Sequence, residues 1–240
     1  MTISQTVFIP TPDGPIPAVV HLPGQTPAPV VVCCHGLLSY KDSSKFVAIG
    51  EQFGRGGMAV VRFDFTGCGE SELAHRESVL FSRISDLRFV LDFVQQQPWA
   101  DGKIGLLGSS LGGYLSLLAA ASGRQTIQAV VCWATPFDLS RIKLALSESE
   151  ELKRVFPKGF PLGAPEDLGD LPPIPRVLVI HGQQDETVSW HEAVAIYRRV
   201  GEPKRLLLME TADHRLLAPQ WREMAMESSW EWFQEQGLSV

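Results

Sequence analysis

The sequence predicts an α/β fold, a mostly parallel central sheet of about eight strands with helices on both faces. Two observations carry this. Short apolar runs, among them Pro29 to His35, Met58 to Phe63 and Ile127 to Trp133, recur along the chain with helical stretches between them. Continuous apolar runs suit strands covered on both faces, and strand-helix alternation implies a parallel sheet. At the centre, Lys103 to Ser122 reads KIGLLGSSLGGYLSLLAAAS, an apolar strand that turns at Gly108-Ser109-Ser110-Leu111-Gly112 into a small-residue helix.

Each element follows from local pattern. Ile3 to Ile9 and Ile16 to Leu22 read as an antiparallel hairpin at a sheet edge, reversed by Pro10-Thr11-Pro12-Asp13-Gly14-Pro15. The run Pro29 to His35 leads through Gly36-Leu37-Leu38 into a polar stretch and a helix over Lys45 to Arg55, stopped by Gly56-Gly57. Met58 to Phe63 opens into the glycine-rich loop Asp64 to Ser71. That loop lacks both the Gly-Lys-Ser/Thr ending of a phosphate cradle and the spacing of a dinucleotide fingerprint, and reads as a tight turn.

Ser78 to Gln97 is an amphipathic helix with Leu80, Ile84, Leu87, Val90, Leu91 and Val94 on one face. After Ile127 to Trp133 the rhythm breaks. Residues 136–173 hold a helical piece, Leu139 to Val155, and a proline- and glycine-dotted tail, read as a cap between strands 6 and 7. Alternation resumes with strands over Arg176 to Ile180 and Arg205 to Met209, and helices over Trp190 to Val200 and Pro219 to Gln236.

Composition narrows the function. A chain of 240 residues, 45% hydrophobic and 20% charged, fits one domain over 1–240 that buries its core without covalent staples. The net charge of -6 and the lack of any basic run longer than a pair speak against nucleic acid as a partner. Cys33, Cys34, Cys68 and Cys132 have neither C-x-x-C nor zinc spacing, so no metal site is expected. Three of them lie in or beside apolar runs, which points to a reducing compartment. The start, MTISQTVFIPTPDG, lacks the charged and apolar regions of a signal peptide, so a cytoplasmic location is expected. Ile104 to Ala121 is uncharged and nearly long enough to cross a bilayer, but its glycines, serines and central turn mark strand plus buried helix, with no membrane partner.

The chemistry centres on Ser110. Strand, sharp turn and helix give a Gly-x-Ser-x-Gly motif its meaning, because the turn lifts the serine over the helix N-terminus. A serine needs a base, and the order of the partners is Ser, then Asp or Glu, then His. Asp185 and His214 follow in that order, each in a loop after a strand, with Asp138 and Glu186 as alternative acids. The oxyanion would be held by the N–H groups of Leu111 and, in the loop after Gly36, Leu37. His35 and His181 precede glycines at strand ends, where a structural hydrogen-bonding role is expected.

His35-Gly36, Asp64-x-x-Gly67-x-Gly69-x-Ser71, Gly108-x-Ser110-x-Gly112, His181-Gly182-x-x-Asp185 and His214 together resemble the α/β-hydrolase superfamily. Within it the chain most resembles small bacterial esterases of the serine-aminopeptidase-like and cinnamoyl-esterase-like groups. The resemblance implies an α/β-hydrolase fold and a serine carboxylic ester hydrolase that works without a cofactor on a small-molecule ester. The alternatives are a thioesterase or amidase with the same triad, or a non-catalytic binding protein of the same fold. Serine as nucleophile argues against dienelactone hydrolysis. Trp133, Phe137 and the cap's Phe156 and Phe160 are the candidate apolar walls of the substrate pocket.

Overall fold

In a computed structural model, residues 2–72, 78–140, 150, 162–163 and 168–239 are described. Eight strands form one sheet: β1 Ile3–Ile9, β2 Ile16–Leu22, β3 Ala28–Cys34, β4 Ala59–Phe63, β5 Ala100–Ser109, β6 Ile127–Trp133, β7 Val177–Gly182 and β8 Lys204–Met209. Their spatial order is β1-β2-β4-β3-β5-β6-β7-β8. β1 and β2 form the expected antiparallel edge hairpin, and β2 pairs antiparallel with β4. From β4 through β8 every pairing is parallel. This is the α/β-hydrolase architecture.

Five helices among the described residues cover the sheet: α1 Ser44–Gly56, α2 Val79–Gln95, α3 Leu111–Ala121, α4 Trp190–Arg199 and α5 Pro219–Glu235. The two-residue period of a strand divides the core. Val30, Val32, Leu106, Val130 and Val179 face α2, α3 and α4. Val31, Val60, Leu107, Val131 and Leu178 face α1 and α5. Burial of both faces explains why these strands read as unbroken apolar runs.

Helix ends follow their chemistry. The predicted stop of α1 is made by Gly57, whose φ of 108° lies in the left-handed region. The start of α2 is capped by Ser78, whose Oγ accepts the Phe81 N–H at 3.1 Å. The inner face of α2 departs from expectation: Ile84 is only half-buried, whereas Arg83 and Asp86 are buried among Leu80, Leu87 and Val90.

The chain leaves β6 and returns to β7 at pinned residues. Ala134, with φ of 48°, donates its N–H to Ile180 O at 2.9 Å. Arg176, with φ of 60°, donates to Pro203 O at 2.8 Å and accepts from Val130 N–H at 2.9 Å. Most of the helix expected over 139–155, and both Phe156 and Phe160, lie outside the described residues. Among the described residues, no helix is long and apolar enough to cross a membrane.

Candidate active site

Ser110 sits between the last residue of β5 and the first of α3, with φ 54° and ψ -122°. A side chain in that region costs on the order of 1–3 kcal/mol, and the surroundings hold it there. Its N–H donates to Trp133 O at 2.8 Å, and its carbonyl accepts from Gly113 N–H at 3.0 Å. The flanking glycines are required by close approach. A Cβ on Gly112 would meet the Cys34 carbonyl, and one on Gly108 would meet the backbone at Gly112 and Gly113. The Leu111 N–H belongs to the first turn of α3, where backbone donors lack intrahelical partners.

Asp185 and His214 occupy the loops after β7 and β8. The Asp185 side chain is fully buried, and its Oδ2 lies 2.7 Å from His214 Nδ1. Its Oδ1 accepts from Thr187 N–H at 2.8 Å and Val188 N–H at 2.7 Å. Oδ2 also meets His181 Nε2 at 3.0 Å. Burial pushes the Asp185 carboxyl up, but hydrogen bonds from His181 and His214, the His214 charge and the Val188 N–H outweigh it and hold it well below the usual range. An ionised carboxylate only accepts, so His214 carries its proton on Nδ1 and keeps Nε2 as a base.

The rival acids are engaged elsewhere. Asp213, the carboxylate next to His214 in sequence, accepts the backbone N–H groups of Arg215 and Leu217. Asp138 accepts the Ser140 N–H at 2.8 Å. Glu186 accepts the backbone N–H of His214 at 3.3 Å, not its ring. Asp185 is therefore the carboxylate that meets the imidazole.

The loop after β3 packs on the serine turn, since a Cβ on Gly36 would lie 3.4 Å from Ser110 Cβ. His35 is buried; its Nε2 accepts Phe65 N–H at 3.0 Å and its Nδ1 donates to Gly36 O at 2.7 Å. Burial, with help from Arg83, drives His35 down to about 3, so it stays neutral. The structural role expected of this histidine fits these bonds. Arg83, which sequence reasoning missed, donates from α2 to Gly36 O at 3.3 Å and to Leu37 O at 2.9 Å. In a trans peptide the C=O and N–H point opposite ways. Holding Gly36 O therefore fixes the direction of the Leu37 N–H.

One expected substrate wall lies elsewhere in the core. Trp133 is 1% exposed, packs against the α5 side of the sheet and donates its indole N–H to Ser229 Oγ at 3.0 Å. Strand parity turns it into that core layer, so Trp133 is corrected to a core residue. Phe137 is half-buried and lines a small apolar hollow with Leu117, Ile174 and Ile196.

Lys45 was also missed. Its Nζ donates to Ser109 Oγ at 2.7 Å, one residue before Ser110. The loop Asp64 to Ser71 is a tight turn around a buried carboxylate: Asp64 accepts Lys41 N–H at 2.7 Å and Glu70 N–H at 3.0 Å, and pairs with Lys41 Nζ at 3.2 Å. Among the described residues, no group of three or more His, Cys, Asp or Glu could hold a metal ion.

Comparison with known proteins places the chain among hydrolases. The family model described as serine aminopeptidase, S33, matches residues 25–172. A human protein named palmitoyl-protein thioesterase ABHD10, mitochondrial, is 29% identical over 232 residues, covering 87% of this chain and 74% of its own length. Among solved structures, an esterase from Pyrococcus furiosus superposes with a TM-score of 0.80 at 19% identity, over 98% of this chain and 91% of the other. Est1E from Butyrivibrio proteoclasticus, solved with ferulic acid, gives 0.77 at 22% identity, over 96% and 98%. At these identities the two structures speak for the fold.

Proposed function

The chain belongs to the serine aminopeptidase S33 family of hydrolases, and from that premise we propose that it cleaves carboxylic esters by acyl transfer through Ser110. The observation that carries the reading is the buried carboxylate of Asp185, 2.7 Å from His214 Nδ1, at the same sheet rim as a serine held at φ 54°. Ser110 Oγ attacks the acyl carbonyl carbon as its proton passes to His214 Nε2, and Asp185 stabilises the imidazolium. The tetrahedral oxyanion accepts from the N–H groups of Leu37 and Leu111. Collapse expels the alcohol, which takes the proton from His214. Water then attacks the acyl-enzyme, loses a proton to the same imidazole, and the acid leaves as Ser110 regains its hydrogen.

Phe137, Phe156 and Phe160 remain the apolar side chains proposed to wall the acyl pocket. Thioesters are a second reading, supported by the name of the human relative. The four cysteines are all free, in accord with a reducing setting, and a cytoplasmic location is proposed.

A fluorophosphonate probe tests the nucleophile. Wild type is expected to label stoichiometrically and Ser110→Ala not at all; labelling that survives the substitution overturns the assignment. Rates on matched alkyl esters, thioesters and anilides then rank the bond cleaved.

A further inference from the structure

One cation, Lys45, touches the serine turn, and two arginines lie within electrostatic reach of it. Lys45, the second residue of α1, reaches β5 and bonds Ser109 Oγ at 2.7 Å. Arg215 directly follows His214, and it is exposed. Arg222, on α5, lies 3.4 Å from Ser44 Oγ at the start of α1 and donates to the carbonyls of Leu216 and Leu217. The three sense one another: burial first, then Arg222 and Arg215, push the Lys45 ammonium down to about 8. Lys45 also adds to the downward push on His35, so its charge reaches the loop that carries Leu37.

This charge is only partly balanced within the described residues, by the Phe46 ring, 5.5 Å from the Lys45 ammonium, and by Asp213. The hydrogen-bond partner of Lys45 is a neutral hydroxyl, and none of the three cations has a carboxylate within ion-pairing distance among those residues. Asp213 opposes them, but burial together with Arg222 and Arg215 outweighs it at Lys45, and its oxygens bond the backbone N–H groups of Arg215 and Leu217 rather than the ammonium. A half-buried ammonium with no carboxylate at ion-pairing distance is a standing electrostatic cost, and an anion placed there relieves it.

We propose that Lys45, Arg215 and Arg222 form an anion-binding subsite beside Ser110 that takes a carboxylate or phosphate carried by the substrate. The inference rests on the ester-hydrolase reading and adds a substrate class to it. The anion can belong to the acyl half or to the leaving group, and two substrate pairs separate these. The first is an aryl ester of a dicarboxylic acid, with its distal carboxylate free or methylated. The second is a short-chain thioester of coenzyme A, whose leaving group carries phosphates, against that of N-acetylcysteamine, which carries none.

Wild type is expected to favour the anionic member of one pair by about tenfold or more in kcat/KM. Lys45→Met should reduce that ratio by about tenfold, and Arg215→Gln or Arg222→Gln several-fold. Arg215 is exposed, so its variant keeps the test valid should the Lys45 variant misfold. A wild-type ratio near one for both pairs overturns the subsite. So does a ratio that survives all three substitutions, as it would if Lys45 merely supported the oxyanion of every substrate equally. Hydrolysis of the neutral members, lost in Ser110→Ala, reports separately on the ester-hydrolase reading.

Discussion

Asp64 and Asp185 follow two different strands of the same sheet, and both have fully buried carboxylates that accept two backbone N–H groups. What completes each set differs. Asp64 meets the ammonium of Lys41, itself 2% exposed, in a closed cluster that ties the loop after β3 to the loop after β4. Asp185 meets two imidazoles, one of which, His214, is 14% exposed at the rim. Lysine holds its proton throughout the physiological range, whereas histidine exchanges one near neutrality. The partner that faces each aspartate thus decides whether it sits against a fixed cation or a ring that can trade a proton, and the proposed chemistry falls to the second.

The comparison can be broken at several points. Asp185→Asn should lower kcat by about 10³ to 10⁴ with the fold intact, because the amide no longer fixes the His214 tautomer. Near-normal turnover in steady-state assays would move the acid to Asp138 or Glu186. Asp64→Asn should do the reverse, destabilising the protein by about 3 kcal/mol while the folded fraction stays active. Urea unfolding with activity measured before the transition checks this; an inactive but stable variant would erase the contrast.

Acid sharpens the same contrast through the buried histidines. Burial and then Arg62 lower His21 to about 4, and His35 is lowered to about 3. Both are neutral in the folded chain, while the unfolded chain protonates them near pH 6.5. The unfolded state therefore takes up more protons, and stability present above pH 6.5 is lost as pH falls through about 4, by on the order of a few kcal/mol. Thermal melts between pH 7 and 4 should show this slope, and a flat profile would contradict neutral burial. The smallest effect belongs to Arg83→Met, which should lower kcat by about tenfold with little change in KM, through a misdirected Leu37 N–H. A change confined to KM would assign Arg83 to substrate binding.

The chain exposed much of this in its sequence. The serine turn was readable because Gly108 and Gly112 are demanded by backbone contact, and Asp185 and His214 because each follows a strand in the required order. Arg83 left a signal that periodicity reading passes over: a charge inside the apolar stripe between Leu80 and Leu87. Lys45 left none, since a lysine near a helix start is ordinary and its partner Ser109 is 64 residues away. Trp133 misled because a strand end suggests the rim, whereas alternation along β6 decides which layer the ring enters. Legibility thus ends where function depends on long-range contact between unremarkable residue types.

The pinned exits at Ala134 and Arg176 carry a consequence for the length of the segment between them. Each end is locked to a neighbouring strand, so a segment spliced between them meets ready-made, fixed anchor points. Closure entropy grows only logarithmically with length, so doubling the segment costs about 0.6 kcal/mol. A change in the length of that segment therefore leaves the strand ends on either side of it where they are.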